Sequence, residues 1–521
     1  MAPLRIYLEK VAAANGYLAG LLLLSALLGL VRFNDIPVGS FFDDAHYLVL
    51  AESLANGQGY HLISYPQAPV ETAFPPGWPL LLTPLTAVFG PSLFWPRLLA
   101  FVFWLGSIPL AYRLFASRVS PALMPLLLAL IALNPHLIGM AGTAMSEAAF
   151  LFFTLLALAL LQTWVRQPDQ RTLWRLLAIG LATFTALLVR TIGLALVVAV
   201  AISLLRTLRR HQWRWLLPLL GLAVLGLGLL AWFNQKLGGT FVFSQTYSDH
   251  LAYLLPRWTE FLRFWEVGTA VSSTALANAV LPIFELQALT NLLTPGVMQG
   301  LAWLTLLLLG MGWLIRCREL SGVELYVLGY AAIFYVWVVY IDTVQPRITL
   351  PLIPFMTFYL VTAVAQLSRW VAGSLKPQRA PRLAHGVLGL LLVLHLGRNL
   401  YAAINPVSQD IVDLAAGTTW MAANLPPDVI VMTPNPVPDY LYLRRQTVDY
   451  PASIGQLHEQ LTAQSAAYIL VRPNLVVGRQ ASLDAKGQQL LQFIQSSPDQ
   501  FELVYEDSPK QVWVYQLRGN S

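Results

Sequence analysis

The stretch that decides the fold runs from residue 35 to residue 60 and reads DIPVGSFFDDAHYLVLAESLANGQGY. It follows an apolar run, Gly16–Val31, that is suited to a first membrane span. The acidic pair Asp43 and Asp44 therefore comes just after the chain has crossed the bilayer. We expect this pair to form half of a functional site, completed by residues from distant points in the chain.

The residues that follow the acidic pair have the pattern of an amphipathic helix over about 42–55. In such a helix Asp43, His46 and Tyr47 are spaced i, i+3 and i+4 and share one face. The turn residues at 56–59, Asn-Gly-Gln-Gly, end the helix. His46 and Tyr47 are therefore candidate substrate-binding residues beside the acidic pair.

The composition is that of a polytopic helical membrane protein. The 521 residues are 57% apolar and only 11% charged, where soluble proteins have about 25% charged residues. Mean hydropathy is +0.60, and apolar runs of about 20 residues recur over the first 400 positions. The net charge of +6 does not indicate nucleic acid, because the arginines lie in short loops between apolar runs. A single cysteine, Cys317, excludes a disulfide framework within the chain.

The apolar runs predict about eleven spans. The predicted spans are residues 13–31, 97–115, 121–139, 147–165, 174–190, 191–206, 214–233, 299–316, 322–340, 348–368 and 383–399. Arg and Lys are concentrated in alternate short loops, which predicts a cytoplasmic N-terminus and an extracytoplasmic C-terminal tail. The run at the N-terminus has no small-residue cleavage site and is interpreted as a retained span.

One apolar segment does not fit the span pattern. Residues 77–89, GWPLLLTPLTAVF, are short and contain two prolines. A span here would place the later arginine clusters outside, so we interpret the segment as an interfacial helix. It then belongs to one long outer loop, residues 32–96, that also carries the acidic pair.

Two charged residues at helix ends are candidates for the second half of the site. Glu147 follows Ser146, so it is either a first-turn acid behind an N-cap or a functional carboxylate at the membrane edge. Arg190 interrupts an apolar stretch, where a charge either faces a partner or a cavity or extends to the surface. We favour the functional interpretation of Arg190.

Two later outer segments add candidates. His250 lies near the start of a second long loop, residues 234–298, where a solvated histidine is the simpler interpretation. Arg347 precedes Pro351 and Pro354 at the outer end of a predicted span. A guanidinium group in this position suits a bidentate phosphate contact.

From about residue 400 the composition changes to that of a small soluble α/β domain. Strand-like runs begin near residues 429, 466, 501 and 512, with helix-like segments between them. The sequence therefore predicts a transmembrane domain at 1–400 and an extracytoplasmic α/β domain at 401–521. No catalytic motif is evident in the second domain, which we expect to pack over the site or to contact an acceptor.

The outer-face residues together suit transfer of a group from a membrane-anchored phosphate donor. Carboxylates can hold a divalent cation such as Mg or Mn, or act as a general base. Arginines offset the charge of a leaving phosphate. No glycine-rich phosphate loop is present, so a soluble nucleotide donor is not indicated.

With these motifs the chain resembles the C-type polytopic glycosyltransferases, which include protein O-mannosyltransferases and lipid A aminoarabinose transferases. The resemblance is carried by Asp-Asp-x-x-Tyr from Asp43, Phe-Pro-Pro-Gly from Phe74, Arg97 at the start of a span, and Glu147 after the third span. The later segment Arg-x-x-x-Pro-x-x-Pro from Arg347 is similar to a basic, proline-containing segment of the family.

The resemblance implies an inverting transferase that uses a polyprenyl-phosphate sugar. Asp43 would be the catalytic base with Asp44 beside it, and Glu147 with Asp44 would be the metal-binding acids. Arg347, joined by Arg190, would bind the donor phosphate. The chain departs from the aminoarabinose transferases, because it lacks their lysine in the segment before Gly77. The sugar is therefore not implied.

The expected setting is the plasma (inner) membrane, with membrane lipid around the chain and an extracytoplasmic lipid, glycan or protein as acceptor. The main alternative is a transporter or flippase of a lipid-linked sugar, which predicts internal repeats that the sequence does not have. A second alternative is a non-catalytic assembly partner in envelope polysaccharide synthesis.

Overall fold

The structure is a computed structural model, and it describes residues 2–207, 216–236, 273–283, 292–341, 346–373, 379–406, 413, 415–474 and 482–518. The chain divides into two compact units. The first, called the membrane unit, comprises Met1–Phe33, Leu99–Gly142 and Ser146–Ile404. The second, called the sheet unit, comprises Asn34–Leu98, Thr143–Met145 and Asn405–Ser521. The first outer loop therefore groups with the C-terminal chain, whereas the sequence assigned it to the transmembrane domain.

Most of the first 404 residues are helical. The helices are α1 (Ala2–Val31), α2 (Asp43–Ala55), α3 (Gly77–Phe89), α4 (Phe94–Phe115), α5 (Met124–Ala132), α6 (Pro135–Ala141), α7 (Glu147–Arg166), α8 (Leu173–Val189), α9 (Leu194–Thr207), α10 (Leu216–Lys236), α11 (Pro295–Cys317), α12 (Gly322–Ile341), α13 (Ile353–Gly373) and α14 (Ala380–Ile404). A short turn of helix, Pro346–Thr349, precedes α13.

Among the described residues, five helices are long and apolar enough to cross a membrane, or six if the bent pair α5–α6 is one span. The chain is thus a helical membrane protein, and the predicted count of about eleven spans is not confirmed. Helices α8 and α9 have 17 and 14 residues. At 1.5 Å per residue they are about 26 and 21 Å long, shorter than the roughly 30 Å hydrocarbon core.

The break between α5 and α6 has a local cause. Asn134 precedes Pro135, which has no backbone N–H and therefore cannot continue the hydrogen bonds of α5. The Asn134 side chain accepts hydrogen bonds from the backbone N–H groups of His136 and Leu137, at 3.0 and 3.3 Å. It therefore caps α6, and the two helices meet at 44°.

A buried polar cluster in the membrane unit contacts the C-terminal end of α7. Arg118 forms an ion pair with Glu324 at 3.1 Å, and both side chains are almost fully buried. Its Nε also donates to Gln162 of α7 at 2.8 Å. Because Gln162 lies four turns beyond Glu147, this cluster marks the opposite end of the helices, about 22 Å away.

The sheet unit contains the two predicted helices of the first outer loop. Helix α2 begins at Asp43 and ends at Ala55, as the amphipathic pattern predicted. Helix α3 has 13 residues with Pro84 inside it, so at about 20 Å it is too short to cross a bilayer alone. Trp78 of α3 is fully buried and donates to the Ala144 carbonyl at 2.8 Å. That bond ties the loop before α7 to this unit.

The C-terminal chain folds into a five-stranded sheet flanked by short helices. The elements are α15 (Thr418–Asn424), β1 (Ile430–Thr433), α16 (Pro436–Leu443), β2 (Thr447–Asp449), α17 (Leu457–Ala463), β3 (Ala466–Val471), α18 (Ala485–Gln495), β4 (Phe501–Asp507) and β5 (Val512–Leu517). The strand order is β2-β1-β3-β5-β4. Strands β2, β1 and β3 are parallel, whereas β5 is antiparallel to β3 and β4.

The four strands predicted from alternating apolar residues are present, and the three-residue strand β2 was missed. One face of the sheet packs around Met432 and Ile469, and the other packs around Val431 and Leu470. Both faces of β1 and β3 are therefore buried, as is usual for central parallel strands.

Candidate functional site

The two neighbouring aspartates at the start of α2 have different surroundings. Asp44 is 1% exposed. Its two carboxylate oxygens accept hydrogen bonds from the backbone N–H groups of Gly39 at 2.8 Å and Ala45 at 3.1 Å. Burial raises the pKa of Asp44 to about 7, and the nearby Asp43 carboxylate adds to this rise. Asp44 therefore closes the turn that enters the helix.

Asp43 is more accessible than Asp44. It is the first residue of α2 and follows Phe42, whose φ of 59° lies in the left-handed region. The Asp43 side chain is half-buried, whereas Asp44 is fully buried. The geometry therefore leaves Asp43, of the two acids, within reach of a ligand.

Phe74 of the Phe-Pro-Pro-Gly segment covers the face of α2 predicted from the sequence. Its ring lies 4.7 Å from the ring of His46 and 5.5 Å from that of Tyr47, measured between centroids. The Phe74 carbonyl accepts a hydrogen bond from the Tyr60 hydroxyl at 3.0 Å. The shared face is confirmed for His46 and Tyr47, but only 3% of Tyr47 is exposed, so a ligand could reach little of it.

Two residues outside the predicted set hold the turn before α2. Tyr442 of α16 donates from its hydroxyl to the Val38 carbonyl at 2.7 Å. Arg97, at the start of α4, reaches the Ile36 carbonyl at 3.5 Å. Burial raises the pKa of Tyr442, and Asp44 adds to the rise whereas Arg97 opposes it. Asp44, Arg97 and Tyr442 therefore form one electrostatic cluster around residues 36–44.

A second contact joins α16 to the far end of α2. Arg444 forms an ion pair with Glu52 at 2.9 Å, and the Tyr440 hydroxyl lies 3.4 Å from the same carboxylate. Within the sheet unit, α16 thus contacts the turn before α2 and also its third turn. We call these contacts the α16 clamp: Tyr442 on Val38, and Arg444 with Tyr440 on Glu52.

In the membrane unit, Glu147 and Arg190 are partners. Glu147 is 3% exposed, and its Oε1 accepts a hydrogen bond from Arg190 at 2.7 Å. Arg190 also donates to the Ser146 hydroxyl at 3.1 Å. Glu147 Oε2 is buried without a hydrogen-bond partner in the described part of the chain. Arg190 therefore has Glu147 as its partner within the membrane unit.

The backbone explains the position of Arg190. It has extended φ and ψ of −148° and 133°, between the end of α8 and a short 3-10 turn, Thr191–Gly193. Arg190 therefore lies at the break between α8 and the 3-10 turn, and from there its side chain reaches Glu147. Helices α8 and α9 therefore adjoin at Arg190 and the 3-10 turn that follows it.

Tyr330 of α12 connects this pair to the segment of Arg347. Its hydroxyl donates to the Ile348 carbonyl at 2.7 Å, and it interacts electrostatically with both Arg190 and Glu147. Arg347 lies in the helical turn Pro346–Thr349. The turn that carries Arg347 is thus anchored beside the Glu147–Arg190 pair within the membrane unit.

The predicted metal ligands do not form a cation site with the partners observed here. Asp44 accepts two backbone N–H groups, and Glu147 is bound to a guanidinium group, which would repel a cation. Among the described residues no group of three or more His, Cys, Asp or Glu could hold a metal ion.

The remaining predictions about the site are untested. His250 lies outside the described residues. Asp43 and Asp44 belong to the sheet unit, whereas Glu147, Arg190 and Arg347 belong to the membrane unit. The convergence of these two groups on one site stays a prediction from the sequence.

Comparison with known proteins gives similarity of fold. No protein-family model and no curated protein matches the chain. The structure of ArnT from Cupriavidus metallidurans in the apo state is similar, with a TM-score of 0.58 and 13% identity over 96% of this chain and 98% of that chain. ArnT bound to undecaprenyl phosphate gives a TM-score of 0.55 and 12% identity, over 98% and 99%. The Archaeoglobus fulgidus oligosaccharyltransferase tethered with an acceptor peptide gives a TM-score of 0.52 and 12% identity, over 88% of this chain and 69% of that chain.

These matches confirm, at the level of the fold, the resemblance to C-type polytopic glycosyltransferases. The match to ArnT extends over nearly the whole of both chains. At such low identity the likeness concerns architecture, and the chemistry of the chain has to be argued from its own residues.

Proposed function

We propose that this protein is an inverting glycosyltransferase that takes a sugar from a polyprenyl-phosphate donor and transfers it to an extracytoplasmic acceptor. The observation that carries the proposal is the ArnT-like fold over 96% of the chain, with a half-buried Asp43 beside a buried Asp44 at the start of α2. The solved relatives support the donor class, since one ArnT structure is bound to undecaprenyl phosphate.

Asp43 is the proposed general base. The acceptor hydroxyl oxygen bonds to the anomeric carbon, the bond from that carbon to the phosphate oxygen breaks, and Asp43 takes the hydroxyl proton. Attack from the face opposite the phosphate inverts the anomeric carbon. Asp44 holds the turn so that the Asp43 carboxylate keeps its orientation.

Arg347 is the proposed contact of the donor phosphate, and Arg190 supplies a second positive charge. Glu147 binds one end of the Arg190 guanidinium, which limits the rotamers of that group and offsets part of its charge. As the sugar–phosphate bond breaks, negative charge accumulates on the phosphate, and arginine charge lowers the energy of that state.

The proposed setting is the plasma (inner) membrane, with a cytoplasmic N-terminus and an extracytoplasmic sheet unit. The acceptor classes remain lipid, glycan and protein. The acceptor peptide in the Archaeoglobus fulgidus structure is an acceptor of that enzyme, and our proposal does not depend on it.

The test uses purified full-length protein and a polyprenyl-phosphate sugar, with release of polyprenyl phosphate followed by mass spectrometry. Asp43→Asn should lower the rate of release by about 10²- to 10⁴-fold, the range for loss of a general base. Asp169→Asn, an equivalent change in the exposed turn after α7, should keep the wild-type rate. Full activity of Asp43→Asn at normal expression would exclude the proposed role. Transport of the intact donor without cleavage would support a flippase.

A further inference from the structure

We propose that the membrane unit has a binding site for the phosphate headgroup of an anionic phospholipid, at the end of its helices opposite the Glu147–Arg190 pair. The site is a cavity of about 410 Å³ between the loop after α4, the end of α11, and helices α13 and α14. A volume of this size lies within the range of ordinary small-molecule sites. The proposal is independent of the proposed glycosyl transfer.

The cavity combines arginine side chains with apolar walls. Arg118, Arg316 and Arg369 line it together with His385, and apolar residues such as Leu123 and Val361 make up most of the remaining surface. A basic pocket between transmembrane helices is the usual form of a site for an anionic lipid headgroup.

The charges of the three arginines are not all offset. Arg118 is paired with Glu324. Arg316 lies 3.8 Å from Glu319, whose side chain is 54% exposed, so solvent screens this second pair. Arg369 is exposed and forms no ion pair with the described residues. The cavity therefore keeps a positive charge that favours an anion.

Arg316 also has hydrogen-bonding capacity left over. Its Nη2 donates to the Arg118 carbonyl, and its guanidinium lies 5.2 Å from the centroid of the Phe358 ring. Its Nε is buried and has no hydrogen-bond partner in the described part of the chain. A buried donor without an acceptor is destabilising, and a phosphate oxygen in the cavity would accept its hydrogen bond.

The surface beside the cavity suits acyl chains. Leu383, Val387 and Leu390 lie along the outer side of α14 and are 42%, 47% and 65% exposed. Trp370, next to Arg369, is 57% exposed, and tryptophan is enriched at the level of lipid headgroups. A phospholipid with its phosphate in the cavity would thus place its chains along α14. This arrangement favours a lipid over a free phosphate ion.

The experiment uses the purified full-length protein in a neutral detergent with three probes. These are dioctanoyl-phosphatidylglycerol, dioctanoyl-phosphatidylcholine and inorganic phosphate. Native mass spectrometry and the melting temperature report binding. We expect saturable binding and a raised melting temperature with phosphatidylglycerol alone. An equal effect of phosphatidylcholine, or of inorganic phosphate, would overturn the proposal of an anionic lipid.

Variants locate the site. Arg369→Gln should weaken phosphatidylglycerol binding about fivefold, the loss expected for one arginine near a lipid phosphate, and Arg369→Lys should restore most of it. Arg369 is exposed, so the fold should tolerate both changes. Arg113→Gln removes an equal charge from an exposed arginine at the end of α4 that does not line the cavity. Wild-type binding by Arg369→Gln, or an equal loss in Arg113→Gln, would overturn this assignment.

Discussion

Asp43 and Asp44 illustrate how neighbouring identical residues acquire different properties. The chain enters α2 through Phe42, which has a left-handed backbone conformation. The buried Asp44 carboxylate accepts two backbone N–H groups, whereas Asp43 is more accessible. A base has to reach its substrate, whereas a buried acid can only hold the backbone that carries the base. In our proposal Asp43 is therefore the general base, and Asp44 positions the backbone that carries it.

The raised pKa of Asp44 has a consequence for stability. Because its folded-state pKa is about 7 and an unfolded aspartate has about 3.9, the folded state keeps a proton that the unfolded state has lost between these values. The stabilisation from Asp44 is full below about pH 4 and is lost as the pH rises to 7. Asp44→Asn should remove this pH-dependent part of the stability. Between pH 4.5 and 7.5 the melting temperature of the variant should therefore fall less than that of the wild type. Parallel curves would contradict the assigned pKa.

At the scale of elements, α2 depends on a helix nearly 400 positions away in the chain. Tyr442 of α16 binds the Val38 carbonyl, and Arg444 binds Glu52 of α2. The first contact lies beside the turn that carries Asp43, and the second lies in the third turn of α2. The α16 clamp thus gives the C-terminal chain a role in orienting the proposed base.

Tyr442→Phe tests this role, on the premise of the proposed transfer activity. The change removes a 2.7 Å hydrogen bond, which should cost about 0.5–1.5 kcal/mol of stability. A misplaced base should lower kcat with little change in KM for the donor. Tyr440→Phe is the matched control, because its hydroxyl makes only a 3.4 Å contact to Glu52. If both variants lose kcat equally, the contact to Val38 has no special role.

At the scale of the whole molecule, the chain leaves and re-enters the same compact unit. The sheet unit takes Asn34–Leu98, Thr143–Met145 and Asn405–Ser521 from three separate parts of the sequence. A backbone hydrogen bond from Thr447 at the start of β2 to the Ser64 carbonyl, 2.8 Å long, joins the sheet to the first outer loop. A change that destabilises the C-terminal sheet should therefore also destabilise the residues around α2.

The buried ion pair between Asp439 of α16 and Arg472 after β3 allows a test of this coupling. Both side chains are fully buried, so Arg472→Met leaves an uncompensated charge and should cost about 3–5 kcal/mol. Hydrogen exchange should then accelerate in β1 and β3 and also in residues 43–55. Lys510→Met breaks the half-exposed pair with Asp413 and should cost at most about 1 kcal/mol. Unchanged exchange in α2 would show that the two parts of the unit are independent.

The sequence alone determined the features that nearby residues control. Apolar runs predicted a helical membrane protein, the period of residues 42–55 predicted α2, and alternation after residue 429 predicted four of the five strands. The motifs around Asp43 and Arg347 also predicted the fold family whose solved members the structure resembles. Hydrophobicity and periodicity are local properties, so they can be read without knowing which distant residues meet.

Only the tertiary structure decided which side chains are partners. Asp44 is buried and accepts a hydrogen bond from the backbone N–H of Gly39. Glu147 is bound to Arg190, 43 positions later in the chain, and Tyr442 contacts Val38 from 404 positions away. Each of these contacts depends on how helices and strands pack, and no periodicity within a single segment encodes it. The role of α2 was thus visible in the sequence, whereas the residues that hold it in position were not.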